Sequence, residues 1–227
     1  METVFITGIS RGIGLELAKQ YLALGWRVIG THRGKPTSAL IELLKYDQLS
    51  LLELEVTAQD SVKAISESLS DVVVDVLINN AGVIGSDEQS MLAIDPADWL
   101  DTFAVNTVAP LMVTREILPF MAKSSRPRVI TISSQMGSLN RESTGMYAYR
   151  SSKAAVNKVM QVLSVELKER GIIVCPIHPG WVQTDMGGSE ADITVTESAA
   201  GIISLIDSLT MASTGRFWTW NGQEHEW

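Results

Sequence analysis

Short apolar runs alternate along the chain with longer stretches in which apolar residues recur every three or four positions. Val4–Thr7, Arg27–Thr31, Leu49–Leu54, Asp75–Asn79, Arg128–Ser133, Ile172–Ile177 and Arg216–Trp220 are rich in Val, Ile, Leu and Thr and read as strands. Between them, patterns such as Ile13, Leu17, Tyr21 and Leu24 put apolar side chains on one face of a helix. Strand and helix alternating in this way predict β-α-β units. The expected fold is therefore α/β: a single-domain, Rossmann-like, doubly wound parallel sheet of about seven strands with helices on both faces. Gly25 and Gly171 stand where left-handed helix stops are expected. Asp95-Pro96 reads as an N-cap followed by proline in the first helical turn. No repeat, low-complexity tract or linker interrupts the pattern, so residues 1–227 read as one domain.

Composition narrows the function classes. The chain has 227 residues, 45% hydrophobic and 19% charged, and its 18 Lys and Arg against 26 Asp and Glu give a net charge of −8. An acidic balance argues against a nucleic-acid partner, which calls for clustered cations. No apolar run approaches the ~20 residues of a membrane span. The first residues lack the basic segment and apolar stretch of a signal peptide. The single cysteine, Cys175, cannot form an internal disulfide and reads as a small core residue. A cytoplasmic protein is the expectation.

The first candidate chemistry is Thr7-Gly8-Ile9-Ser10-Arg11-Gly12-Ile13-Gly14, which ends the first strand and opens the first helix. Glycines there permit a tight turn and close approach to a pyrophosphate, while the helix N-terminus offers unpaired N–H groups. The spacing is G-x-x-x-G-x-G rather than G-x-G-x-x-G.

That loop resembles the cofactor loop of the short-chain dehydrogenase/reductase family, and further marks of the family follow in order: Asn79-Asn80-Ala81-Gly82, Asn106, Ser133-Ser134, Tyr149-x-x-x-Lys153, and Pro179-Gly180 with Thr184. Ser133–Ser138, Tyr147–Lys153 and His178–Gly188 are most similar to its C-factor and sniffer-type carbonyl reductases. The resemblance covers essentially the whole chain and implies a nicotinamide cofactor. It further implies that Gly8, Ser10, Arg11, Gly12, Ile13 and Gly14 hold the diphosphate side. Glu55, Val56, Asn80, Ala81 and Gly82 would line the adenosine side. Pro179, Gly180, Val182 and Thr184 would lie at the nicotinamide, with Tyr149 and Lys153. Glu55 stands where the family usually has Asp.

An NAD enzyme of this layout places an acid at the end of the second strand to bind the ribose hydroxyls. Here His32 holds that position and Arg33 follows. Arg33 and Arg11 are expected to converge on a 2′-phosphate through charge-assisted bonds, making the cofactor NADP(H).

Tyr149 and Lys153 are four residues apart, which stacks them on one face of a helix. The ammonium and a positive nicotinamide ring are expected to favour phenolate and bring the tyrosine toward neutral pH. Tyr147, six residues from Lys153, lacks that geometry. Strand alternation allows only one of Ser133 and Ser134 to face the cleft. The family pattern selects Ser134 to bond the substrate carbonyl, leaving Ser133 to bond backbone. Pro110 lies four residues after Asn106 and cannot donate to its carbonyl. If the helix runs through, that carbonyl is free to hold a water, the group that the family's proton relay uses. Otherwise Pro110 begins a second helix.

His32, His178 and His225 show no metal-ligand spacing, and no metal is expected. His178 reads as a satisfied structural residue, and Trp218, Trp220 and Trp227 as packing at a sheet edge or subunit interface. The Gly-, Ser- and Asp-rich segment 187–197 reads as a mobile lid over a shallow substrate pocket. The expected enzyme reduces an aldehyde or ketone, or oxidises the alcohol, with Ser134, Tyr149, Lys153 and Asn106 as its working residues. The family resemblance implies a homodimer or homotetramer paired through the Pro110–Lys123 and Tyr149–Arg170 helices, which the sequence permits without demanding. Two alternatives stand beside it. One is a non-catalytic NADP(H)-binding regulatory protein, which has no need of a tuned phenol. The other is a sugar-nucleotide epimerase, which shares Tyr-x-x-x-Lys but needs more chain after Thr184.

Overall fold

Val4 and Ile6 pack into the apolar layer on one face of the sheet and Phe5 into the other, and all three are fully buried. A two-residue side-chain period inside a sheet covered on both faces requires this division. The computed structural model describes residues 1–227. Its strands are β1 (Thr3–Ile6), β2 (Arg27–His32), β3 (Leu49–Glu53), β4 (Val76–Asn79), β5 (Arg128–Ile132), β6 (Ile173–His178), β7 (Phe217–Thr219) and β8 (Glu224–His225). The helices are α1 (Gly12–Ala23), three short ones, α2 (Ser38–Ile41), α3 (Gln59–Lys63) and α4 (Ile65–Ser68), then α5 (Pro96–Phe103), α6 (Ala109–Met121), α7 (Tyr147–Glu166) and α8 (Val195–Ser208). No helix is long and apolar enough to cross a membrane.

The sheet order is β3-β2-β1-β4-β5-β6-β7-β8, parallel except for β8, which pairs antiparallel with β7. Leu17, Tyr21, Ile202 and Ile206 of α1 and α8 join the Val4–Ile6 layer, whereas Val113, Ile117, Val156 and Met160 of α6 and α7 join the Phe5 layer. Strand order reverses between β1 and β4. A cleft therefore opens at their carboxyl ends, where ligands bind in sheets of this kind.

Each expected strand is present, with no end shifted by more than one residue. The eighth, β8, was not foreseen, because two polar residues beyond a glycine turn carry no strand pattern. Gly25 and Gly171 are left-handed, φ 79° and 68°, and the Asp95 carboxylate caps α5 by accepting from the Ala97 N–H at 2.7 Å. From α5 into α6 the helix runs through Pro110 by a wider π turn, Ala104–Val108. That turn accommodates a residue with no N–H to give.

Segment 187–197, the expected lid, is tied to the chain at its C-terminal half. Ile193 pairs with Val182 in a bridge and bonds both Gln183 and Trp181, and Ala191 is buried. Thr194 and Glu197 form a capping box, so residues 195–197 are the first turn of α8. His178, expected to be satisfied, leaves Nδ1 buried without a partner. Burial, with His225 and Arg141 nearby, pushes it down to about 4. The C-terminal tryptophans pack as expected: Trp218 and Trp220 lie against the α1/α8 core, and the Trp227 ring centre lies 5.8 Å from that of Phe217.

Candidate active site

The turn between β1 and α1 is built for close approach. Gly8 and Gly12 are left-handed, φ 72° and 57°. A side chain at Gly14 would stand 2.3 Å from the Gly8 carbonyl and 2.4 Å from Asn80 Nδ2. Asn80 ties the turn to β4 by donating to the Thr7 and Gly8 carbonyls, both at 2.9 Å. The Thr7 hydroxyl accepts from the N–H groups of Asn80 and Ala81, both at 3.0 Å. Thr7 closes the opening of this loop as a hub that its motif position did not single out. Ser10, Arg11 and Ile13 lie on the same turn, and no side chain caps α1. A glycine cradle, an uncapped helix N-terminus and a strand-order reversal fit a dinucleotide diphosphate.

At the far side, Arg33 follows β2, and Glu55 and Val56 follow β3. The two arginines do not share one target. Arg11 pairs with Asp185 at 2.9 Å and Arg33 with Glu55 at 3.5 Å, both guanidiniums being more than three-quarters exposed. Within the chain alone each cation reaches the carboxylate that the neighbouring loop offers it. Burial pushes the Glu55 carboxyl up, but bonds from Thr57 and the Arg33 guanidinium overcome it and hold it below the usual range. His32, on the second strand, is buried with Nδ1 at 2.8 Å from the Gly34 carbonyl.

Gly82 leads to the reacting groups. A Cβ added to it would lie 3.2 Å from Asn106 Oδ1 and 3.6 Å from Lys153 Nζ. The Asn106 side chain accepts from Val83 N–H at 2.9 Å and donates to the Val83 carbonyl at 2.8 Å and to Ser152 Oγ at 3.1 Å. Asn106 thus clamps the loop after β4 onto α7, a side-chain role the sequence reading did not foresee.

Tyr149 and Lys153 share one face of α7, with Nζ 5.8 Å from the phenol ring centre. Lys153 donates to the Ile132 carbonyl at 2.9 Å and has no carboxylate within ion-pair reach. Burial pushes it down to about 8. Burial also raises the Tyr149 phenol above its usual value, and the Ser134 hydroxyl beside it pulls it partly back. In the chain alone, without the positive nicotinamide ring of the expectation, burial sets the direction of the shift. The phenol keeps its proton at neutral pH.

Ser134 ends up at the phenol, its Oγ accepting from Met136 N–H at 3.1 Å at the start of a short turn, Gln135–Gly137. A Cβ on Gly137 would stand 2.6 Å from the Lys153 carbonyl carbon, so only glycine lets α7 come this close to the serine turn. Ser133 points elsewhere and bonds Asn157 Oδ1 at 2.5 Å, a side chain rather than the expected backbone. Tyr147, 43% exposed, turns toward Trp99 instead. Pro179, Gly180, Val182 and Thr184 follow β6. The Thr184 side chain reaches the phosphate turn, 3.4 Å from a Cβ built on Gly12.

The family model described as short chain dehydrogenase matches residues 2–193. The chain belongs to the short-chain dehydrogenase family. This short-chain dehydrogenase is 40% identical to the C-signal of Myxococcus xanthus over 167 residues, 73% of this chain and 100% of that protein. It superposes on the carbonyl reductase Sniffer of D. melanogaster with a TM-score of 0.94, 32% identity and full coverage of both chains. An NADPH-bound carbonyl reductase from chicken fatty liver gives a TM-score of 0.92 at 32% identity, covering 100% of this chain and 99% of the other.

Proposed function

We propose that this short-chain dehydrogenase reduces a small aldehyde or ketone to its alcohol with NADPH. The observation that carries the reading is the phenol of Tyr149, buried and protonated, between Ser134 and Lys153 at the cleft where strand order reverses. Bound reduced nicotinamide supplies the hydride to the carbonyl carbon. Tyr149 gives its proton to the carbonyl oxygen as that oxygen gains charge, and burial keeps the proton on the phenol until then. Ser134 Oγ donates to the same oxygen and orients it. Lys153 would hold the cofactor ribose and would stabilise the phenolate left behind on Tyr149. The Asn106 main-chain carbonyl, which Pro110 cannot bond, holds a water that returns a proton through Lys153.

Gly8, Ser10, Gly12, Ile13 and Gly14 would cradle the diphosphate. Glu55, Val56, Asn80, Ala81 and Gly82 would flank the adenosine, and Pro179, Gly180, Val182 and Thr184 the nicotinamide end. Arg11 and Arg33 favour NADPH over NADH, because exposed ion pairs with Asp185 and Glu55 are worth at most about 1 kcal/mol and a phosphate dianion displaces them. The likeness to an NADPH-bound carbonyl reductase supports the same choice. A second copy of the chain would cover the apolar groove of Leu111, Val159, Val162 and Leu163 between α6 and α7. The single buried thiol suits a reducing compartment, the cytoplasm.

The test is NADPH oxidation with a panel of aldehydes, ketones and quinones. One alcohol formed per NADPH consumed, with NADH at least tenfold less effective, is the expected result. No turnover by any carbonyl, with NADPH still bound, would favour a dinucleotide-binding regulatory protein. The likeness to a protein named C-signal keeps that second reading in view.

A further inference from the structure

Helix α7 opens without a cap of its own. Met146, at its N-cap position, is left-handed with φ 53° and offers no side-chain acceptor. The N–H groups of the first turn therefore need partners from elsewhere. One comes from the loop after β4: Gln89 Oε1 accepts from the Tyr149 N–H at 3.0 Å. The two residues are 60 positions apart, and Gln89 belongs to none of the motifs read from the sequence.

The other end of the same amide is equally committed. Gln89 Nε2 donates to the carbonyls of Ile84 and Ser86, both at 2.8 Å. Its side chain is 5% exposed and has donor and acceptor both engaged, so a flipped amide would face oxygen with oxygen and N–H with N–H. The Gln89 carbonyl also accepts from the Tyr147 N–H at 3.4 Å. One residue thus closes the loop running on from Gly82 and docks it on the turn that carries the phenol. Asn106 clamps Val83 one residue earlier. Together they hold Val83, Ile84 and Ser86 of this loop, with Gln89 bonded to Tyr147 and Tyr149 of α7 and Asn106 to Ser152.

We propose that Gln89 is a positioning residue: it fixes the backbone of Tyr149 against the Gly82–Ser86 loop and thereby sets where the phenol stands over bound substrate. Lys153 and Tyr149 move together on α7, so their spacing does not depend on Gln89. The distance from the phenol to groups on the loop does. Proton transfer tolerates little misplacement, and a shift of about 1 Å can cost 100-fold in rate. This inference rests on Tyr149 being the proton donor.

The variants Gln89→Met and Gln89→Glu test it in the full-length protein. Methionine matches the length of glutamine but removes the acceptor and both donors. Expected is a 10- to 100-fold fall in kcat with the NADPH Kd within twofold, together with a lower thermal unfolding midpoint because the Tyr149 N–H and two carbonyls lose their partner. Glutamate keeps an acceptor for the Tyr149 N–H, and when protonated it regains one donor. Its kcat should recover as pH falls, adding an ionisation that the wild-type pH profile lacks. Amide hydrogen exchange gives an activity-independent readout: exchange at Tyr149 should quicken in Gln89→Met and stay slow in Gln89→Glu.

Unchanged kcat or unchanged Tyr149 exchange in Gln89→Met would overturn the proposal. So would a loss of NADPH affinity as large as the loss of kcat, which would mark a residue that only supports the loop. If Gln89→Met does not fold, the pH profile and exchange of Gln89→Glu decide, and a wild-type profile there overturns it. If the wild-type protein reduces no carbonyl, the functional reading fails, while hydrogen exchange still decides whether Gln89 fixes Tyr149.

Discussion

Strand β5 has a buried cation at each end, and the two are held in opposite ways. Arg128 is its first residue, at the edge away from the cleft. It donates to the carbonyls of Arg126 at 3.0 Å and Ile206 at 2.9 Å, with carboxylates of Glu2 and Asp207 both at 3.7 Å. Lys153 sits at the other end, where the Ile132 carbonyl accepts its proton at 2.9 Å and no carboxylate compensates its charge. Burial alone accounts for its fall to about 8. A guanidinium among acids stays charged and ties the N-terminal edges of the strands to the chain before β1 and the end of α8. An ammonium without acids is poised to respond to whatever charge enters the cleft. The first arrangement serves stability; in the proposed function the second spends stability on chemistry.

Replacing both cations by methionine should separate the two roles. Lys153→Met is expected to lower kcat by 100- to 1000-fold while the unfolding temperature holds or rises, because an uncompensated buried charge has gone. Loss of both activity and fold together would break the comparison. Arg128→Met should do the reverse. Turnover per folded molecule stays within twofold, and denaturant unfolding shows a loss of about 3 kcal/mol as the buried Ile206 carbonyl and the part-buried Arg126 carbonyl lose their donor. Glu2 and Asp207 are half-exposed or more, so water takes over their charges and limits the cost.

His178 extends the same contrast to a group at the cleft edge that is buried without an acid partner. Its folded value, about 4, lies below the unfolded value of 6.5. The unfolded chain therefore binds more protons between those values. Stability from neutral His178 is fully present above about pH 6.5 and is lost as pH falls toward 4, by up to about 3 kcal/mol. Chemical denaturation at pH 7 and pH 5 should show the loss, and His178→Asn should flatten it; a stability unchanged between those pH values would contradict the assignment. The smallest effect belongs to an exposed cation. Arg33→Ala should weaken NADPH binding about tenfold and leave NADH binding unchanged in a fluorescence titration. Equal weakening of both would remove its phosphate role.

What the sequence revealed and what it hid follow one physical line. Gly8, Gly12 and Gly14, and Tyr149 with Lys153, were legible because their meaning is local: a turn that needs glycine, two side chains one helical turn apart. The β-α alternation was legible for the same reason. The Gln89 bond to Tyr149, the Ser133 bond to Asn157 and the Asp185 and Glu55 partners of the arginines join distant parts of the chain, and no spacing announces them. The upward push on the Tyr149 phenol in the chain alone was not legible, because burial is a property of the packed molecule. The Asn106 helix is an intermediate case: Pro110 pointed to a disturbed carbonyl ladder, and the wider turn at Ala104–Val108 is how the chain absorbs it.

The most direct measurement is single-turnover reduction by Tyr149→Phe loaded with NADPH. The phenol ring stays and only its proton is lost, so NADPH affinity should remain within twofold of wild type and the rate should fall by about 1000-fold or more. A variant that binds NADPH and keeps most of its turnover would contradict the assignment of Tyr149 as the proton donor.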